Sequence, residues 1–316
     1  MESTLRPMNT AEILDRTFSL YRHRFVLFAG IAMLPPALLL FVELVQTGLT
    51  VGYLGRPAAR GVYSPVAMIA GFSAMLVGFV AYFIGIAIAH AATVFAVSAV
   101  HLGRETSIRD CYGRVKGKYG RVFNVVFSVG LRVFGSALVL VLAAAVVPAA
   151  LVKAGRAAGA IGGIFFVLVA FVGGFVLVLV LYSRYALAVP ACVLENLKAR
   201  DAIKRSVALT AGNRGRIMVV ILLVTIITFV VMGVLVFPAR LLPFLFKSAP
   251  IMLVLTVQHL ASFIAGTVTG AIATIALSLI YYDERVRKEA FDIHLMMASL
   301  DGPSSPQASA AIANLG

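Results

Sequence analysis

Long apolar runs alternate with short basic stretches along this chain. Six runs stand out, at about 25–46, 66–100, 122–151, 161–189, 217–241 and 252–281. A helix that crosses a bilayer needs about 20 apolar residues, so each run is long enough to span. The second, fourth and sixth exceed an upright crossing and must tilt or continue past the headgroups. Backbone facing lipid cannot leave its N–H and C=O groups unpaired, so the runs predict helices and exclude open strands. The expected fold class is an all-α membrane protein, a six-span helical bundle forming one membrane domain over 1–298. The remainder, 299–316, is rich in Ala, Ser and Pro and is expected to be a disordered cytoplasmic tail. Pro35 and Pro36 predict a break within the first span.

The polar intervals carry a second periodicity. Before each odd-numbered span stands a short stretch with a helical apolar face and a basic opposite face. The faces are Ile13, Leu14, Thr17, Phe18 and Tyr21; then Ile108, Cys111, Tyr112, Val115 and Tyr119; then Ala199, Ala202, Ile203, Ser206 and Val207. Asn9 with Glu12, and Ser107 with Asp110, have the spacing of N-cap pairs. The third stretch has no clear cap. Aligning Asp15, Asp110 and Asp201 brings Pro148 and Pro238 into register, 38 and 37 residues after their aspartates. The pattern reads as three repeats of an interfacial amphipathic helix plus two transmembrane helices. Its alternative is the rhythm that any even-span protein with basic loops on one side would show.

Composition supports the bilayer as solvent. The chain is 61% apolar and 13% charged with a mean hydropathy of +1.00, whereas soluble domains are nearer half apolar and a quarter charged. The net charge of +14 could point to nucleic acid, but its distribution points to a membrane. Of the Lys and Arg residues, 20 fall on the side of the termini and 6 on the other. The positive-inside rule then places both termini in the cytoplasm, in a plasma membrane. The expected partners are anionic inner-leaflet lipids, each nearby basic residue contributing about 1 kcal/mol, together with a protein partner or a second copy. Nucleic acid is not expected, nor is any cleavable leader, because the first apolar run continues as a full span. Cys111 and Cys192 both fall on the cytoplasmic side and are expected to be reduced thiols.

In lipid, helices associate through close packing of small residues. Gly71, Ala74, Gly78, Ala81, Gly85, Ala89 and Ala92 form a smooth seam on the second span. Gly162, Gly163, Gly173 and Gly174 mark the fourth, and Gly266 and Gly270 the sixth. The even spans are therefore expected to lie inside and the bulkier odd spans outside.

Ionisable groups within hydrocarbon cost roughly 2.5–3.5 kcal/mol or more and are functional suspects. Arg132 lies about 16 Å into the third span at 1.5 Å per residue, a depth that favours a partner inside the bundle over snorkelling. Glu43 and His259 fall at similar depth near the outer ends of the first and sixth spans and form a candidate polar pair that Gln258 could join. His90 lies near the inner boundary. Whether Arg132, Glu43 and His259 anchor the structure or line a path stays open here. No H-E-x-x-H, Walker A, C-x-x-C or G-x-S-x-G occurs, and the histidines lack metal-ligand spacing. No catalytic site, metal or cofactor is expected.

Three border stretches are more specific: A-E-I-L-D-R-T-F-S-L-Y-R-H-R-F near the start, Glu195 through Thr210 following Pro190, and Tyr281 through Asp292. Together they resemble the bacterial membrane domain attached to some glycerophosphoryl diester phosphodiesterases, which also occurs alone. The resemblance covers roughly residues 8–292. It implies a membrane module serving lipid or headgroup metabolism, without the phosphodiesterase chemistry, which belongs to a separate soluble barrel. Glu195, Asp201 and Arg205 are expected to dock against Asp283, Arg285, Arg287 and Glu289 in a cytoplasmic-border ion network, with Glu195 opposite Arg285. The leading functional expectation is a non-catalytic integral membrane module that binds lipid or a partner protein at the inner leaflet. The alternative is a transporter or channel for a small solute or lipid.

Overall fold

The structure, a computed structural model, describes residues 8–53, 65–153, 157–246 and 248–289. The predicted tail from Ser299, and Asp292, lie outside the described residues. Those residues are all-α, with no strand among them. The helices are α1 (Thr10–His23), α2 (Phe25–Ala32), α3 (Leu34–Tyr53), α4 (Pro65–His101), α5 (Ile108–Val115), α6 (Tyr119–Lys153), α7 (Ala157–Tyr185), α8 (Ala188–Leu194), α9 (Ala199–Thr210), α10 (Arg214–Leu245), α11 (Ile251–Thr269) and α12 (Ile272–Glu289). Among the described residues five helical stretches are long and apolar enough to cross a membrane, and the pair α2–α3 makes a sixth if taken as one broken span. The pair bends by 43° just before Pro35 and Pro36, whose rings and missing N–H groups break the helical ladder there. This is a multi-pass membrane protein. Its element order repeats three times: a short amphipathic helix (α1, α5, α9), then two long apolar segments.

The three short helices form for local reasons. Asn9 accepts from the Glu12 backbone N–H while the Glu12 carboxylate takes the Asn9 N–H, both at 2.8 Å. Ser107 and Asp110 make the same reciprocal box on α5. The Ser107 hydroxyl also donates to the Asp110 carboxylate at 2.6 Å, the main reason that carboxyl is held below its usual pKa. No side chain caps α9, whose N-cap is Lys198, but Asp201 in its first turn faces the positive end of the helix dipole. Tyr119 does not extend the face of α5. That helix stops at Val115 and turns at Gly117 (φ +85°), and Tyr119 opens α6 as an exposed residue.

The described residues divide into two compact units, 8–123 with 223–279 and 124–222 with 280–289. In the first, which we call the packed unit, the broken span α2–α3 lies between α4 and α11 and touches both. For the first span this corrects the expectation that odd spans lie outside; most of α6 and α10 stays exposed, as expected of the third and fifth. The glycines of the even spans are the sockets, and the first span supplies the knobs. A Cβ on Gly78 would come within 2.7 Å of Val42, one on Gly85 within 3.1 Å of the Pro35 backbone, and one on Gly266 within 3.1 Å of Pro36. Gly270 sits 3.2 Å, by the same measure, from Ala32. In the second, the splayed unit, Gly162 and Gly173 meet nothing within 4 Å. Phe134, Phe165 and Phe171 of α6 and α7 stay exposed, as lipid-facing residues are.

Candidate functional site

The apolar faces of α1, α5 and α9 are buried against protein instead of lying on the acyl boundary. Ile13, Thr17 and Tyr21 are buried on α1, Cys111 and Val115 on α5, and Ala202, Ile203 and Ser206 on α9. Each helix also sends a hydroxyl to a particular kind of acceptor. Tyr21 Oη donates to the carbonyl of Val268, in the last turn of α11. Tyr112 Oη donates at 2.7 Å to the carbonyl of Ile31, in the last turn of α2. Ser206 Oγ donates at 3.0 Å to the carbonyl of Arg184, in the last turn of α7. The last four carbonyls of a helix have no partner within it. Each amphipathic helix therefore satisfies a carbonyl that a break or end in an apolar helix has released. Burial pushes the Tyr21 and Tyr112 hydroxyls up to about 12, so both stay protonated donors at neutral pH. Burial likewise raises the Cys111 thiol, which keeps it unreactive.

The packed unit also holds the polar pair expected from depth alone. Glu43 Oε2 lies 3.1 Å from His259 Nδ1, and His259 Nε2 lies 3.0 Å from Thr47 Oγ1. Both ring nitrogens are thus occupied, by a carboxylate on one side and a hydroxyl on the other. Glu43 and Thr47 are one turn apart on α3, and His259 comes from α11, so packing of these two helices assembles the group. Gln258 turns away from it. Its amide donates to the Ala239 carbonyl at 3.3 Å and accepts from Arg240 at 3.4 Å.

In the splayed unit, Glu195 and α9 meet the end of α12. Arg205 Nε donates to both oxygens of Glu195 at 2.9 and 3.0 Å and its Nη2 pairs with Glu289. Burial works against the Arg205 cation, but the two carboxylates outweigh it and raise its pKa. Tyr281 Oη donates to Glu195 at 2.6 Å. Arg285 pairs with Glu289 at 3.0 Å, and Arg287 with Asp283 at 2.9 Å. Glu195 thus meets Arg205 and Tyr281 where Arg285 was expected. Asp201 stands apart, exposed on the outer face of α9.

Sequence reasoning missed Arg216, Asn213 and Glu284 in this network. Arg216 pairs with the fully buried Asp283. Asn213 donates to the fully buried Glu284 at 2.8 Å. Lys288 Nζ donates to the Ala208 and Ala211 carbonyls at 3.0 and 2.6 Å, closing the C-terminus of α9. Arg216 and Asn213 flank the start of α10, and their charge and polarity at a span border read as ordinary topology signals.

Arg132 does not point into a bundle. It is exposed on α6 and its Nη1 donates back to the Ser128 carbonyl at 2.9 Å, toward the basic end of the helix. Its Cζ lies 6.0 Å from the centre of the Tyr185 ring. The Cβ of a helical residue leans toward the N-terminus, and that lean, with the long stem, allows the snorkelling that depth alone argued against.

A family model described as a domain of unknown function matches residues 26–284, more than four-fifths of the chain. No curated protein and no solved structure matches it.

Proposed function

We propose that this chain, which belongs to the family described as a domain of unknown function (DUF7847), is a non-catalytic module of the bacterial plasma membrane that gathers anionic lipid at the inner leaflet. The observation that carries this reading is the thrice-repeated amphipathic helix whose apolar face is docked on protein and whose basic face is free. Arg22, Arg109, Arg114, Arg200 and Lys204 are all exposed. A helix whose apolar side is already satisfied needs no insertion into lipid, so its exposed cations are left to meet headgroups or an acidic partner. Both termini lie in the cytoplasm in this reading, on the charge bias. The likeness to the membrane domain of glycerophosphoryl diester phosphodiesterases, carried by the three border stretches, fits a role beside lipid chemistry performed elsewhere.

Spin-labelled phosphatidylglycerol around the reconstituted protein tests it. Changing Arg109, Arg114, Lys116 and Lys118 together to Gln should cut the immobilised anionic fraction by about half, and high salt should do the same. An unaltered fraction overturns the reading. Cysteine labelling of tagged termini from either side of sealed vesicles tests the orientation, and opposite accessibility would overturn it.

The Glu43–His259–Thr47 group favours transport as the second reading, since a carboxylate and imidazole within an apolar segment are the parts of a proton relay. Solute or proton flux in proteoliposomes that Glu43→Ala abolishes would replace the first reading with this one.

A further inference from the structure

Within the splayed unit, α6 and α7 meet at Leu140 and Gly174 but leave a groove of about 390 Å³ between them. One stripe of each helix walls it, including Ala137, Leu140 and Ala144 from α6 and Ala170, Gly174 and Val178 from α7. The small residues hollow the groove and no charged side chain lines it. Its basic end is different. Arg132 lies five residues before Ala137, and Arg184 six residues after Val178. Their Cζ atoms approach the single ring of Tyr185 to 6.0 and 5.8 Å. Among the described residues neither arginine has a carboxylate partner, and the Nε of Arg184 is buried with no hydrogen-bond acceptor. Two guanidiniums against one phenol ring repel each other, and a buried N–H lacks its acceptor. An anion placed there relieves both.

We infer that α6 and α7 hold one anionic phospholipid, with its phosphate at Arg132 and Arg184 and one acyl chain in the groove. A soluble anion would use the guanidiniums and leave the groove empty, and a neutral lipid would do the reverse. Only an amphiphile with its negative charge at one end matches both. Arg132 to Ala144 is about 18 Å of helix, long enough to lie along most of an acyl chain. The inference rests on the inner-leaflet lipid reading above and adds to it a single, stoichiometric site.

The test is native mass spectrometry of the full-length protein in a neutral detergent. It is titrated with dioleoyl phosphatidylglycerol, with dioleoyl phosphatidylcholine, and with glycerol phosphate lacking chains. One phosphatidylglycerol should be retained at least about tenfold more readily than phosphatidylcholine, and glycerol phosphate should not displace it. R132Q/R184Q should erase the tenfold preference, R132K/R184K should keep most of it, and A170F should reduce retention of both lipids. Equal retention of the two lipids by the wild type, or a preference unchanged in R132Q/R184Q, overturns the inference. So does full retention in A170F. If R132Q/R184Q does not fold, A170F and R132K/R184K still decide. Neutralising the α5 cations separates the two readings. Loss of diffuse enrichment with the single lipid kept leaves the groove site standing, and enrichment kept without the single lipid leaves only the basic collar.

Discussion

The packed and splayed units solve one problem by different means. Lipid solvates apolar side chains as well as a protein core does, so burial alone does not drive helices together. In the packed unit the solution is steric. Glycines at 78, 85, 266 and 270 let the backbone of the broken first span approach α4 and α11 until side chains interlock. In the splayed unit the apolar stretches of α6 and α7 leave a groove between them, and cohesion comes from the polar border, where Arg205 and Lys288 tie α9, and Asn213 and Arg216 the start of α10, to the end of α12. Close packing leaves no room for a guest, whereas bonding at the border leaves a groove open.

Substitutions can break this contrast, and the largest effect should come from a glycine whose added Cβ would meet backbone, which cannot move aside. Gly270→Val places new methyls against Ala32 and the Gly266 carbonyl and should cost about 3 kcal/mol, the upper range for overpacking. Thermal unfolding in detergent would show it, and an unchanged midpoint would mean that the packed unit is not closed as described. Next is the border. Glu195→Lys strips Arg205 and Tyr281 of their shared acceptor and should destabilise by about 2 kcal/mol. Arg205→Glu in the same chain should recover part of that loss, and a double variant no better than the single would remove Glu195–Arg205 from the account. Tyr112→Phe should cost about 1 kcal/mol, seen as faster amide exchange around the α2–α3 break with α9 unaffected. The smallest effect belongs to the splayed unit. Gly173→Leu meets open space and should change the unfolding free energy by less than about 0.5 kcal/mol.

The parts of this fold that depend on neighbours in sequence were readable from it. The two capping boxes need only residues three apart, and the amphipathic faces need only helical periodicity. Glu43 and His259 could be paired because so few polar groups enter the membrane that counting depth leaves little choice. Facing was harder to read. Arg132 falls on a polar stripe of α6 with Asn124, Ser128 and Ser136, which marks one side of the helix without saying whether that side turns inward. Glycine seams announce close approach without naming what approaches, and Val42 and the two prolines carry no sign that they fill those sockets. The hydroxyl contacts to Val268, Ile31 and Arg184 were invisible for a related reason. A released carbonyl is a property of where a helix stops, and nothing near Thr269 or Tyr185 marks a stop as strongly as Pro35 and Pro36 do.

The bond from Tyr21 to Val268 joins residues 247 apart, and this orders the birth of the protein. A ribosome adds about 5–20 residues per second, so the donor emerges roughly 12–50 s before its acceptor exists. Throughout that interval the first amphipathic helix has no carbonyl to hold, and its apolar side must shelter on the membrane surface or beneath a chaperone. The last span to be inserted is thus the one that fastens the first helix in place.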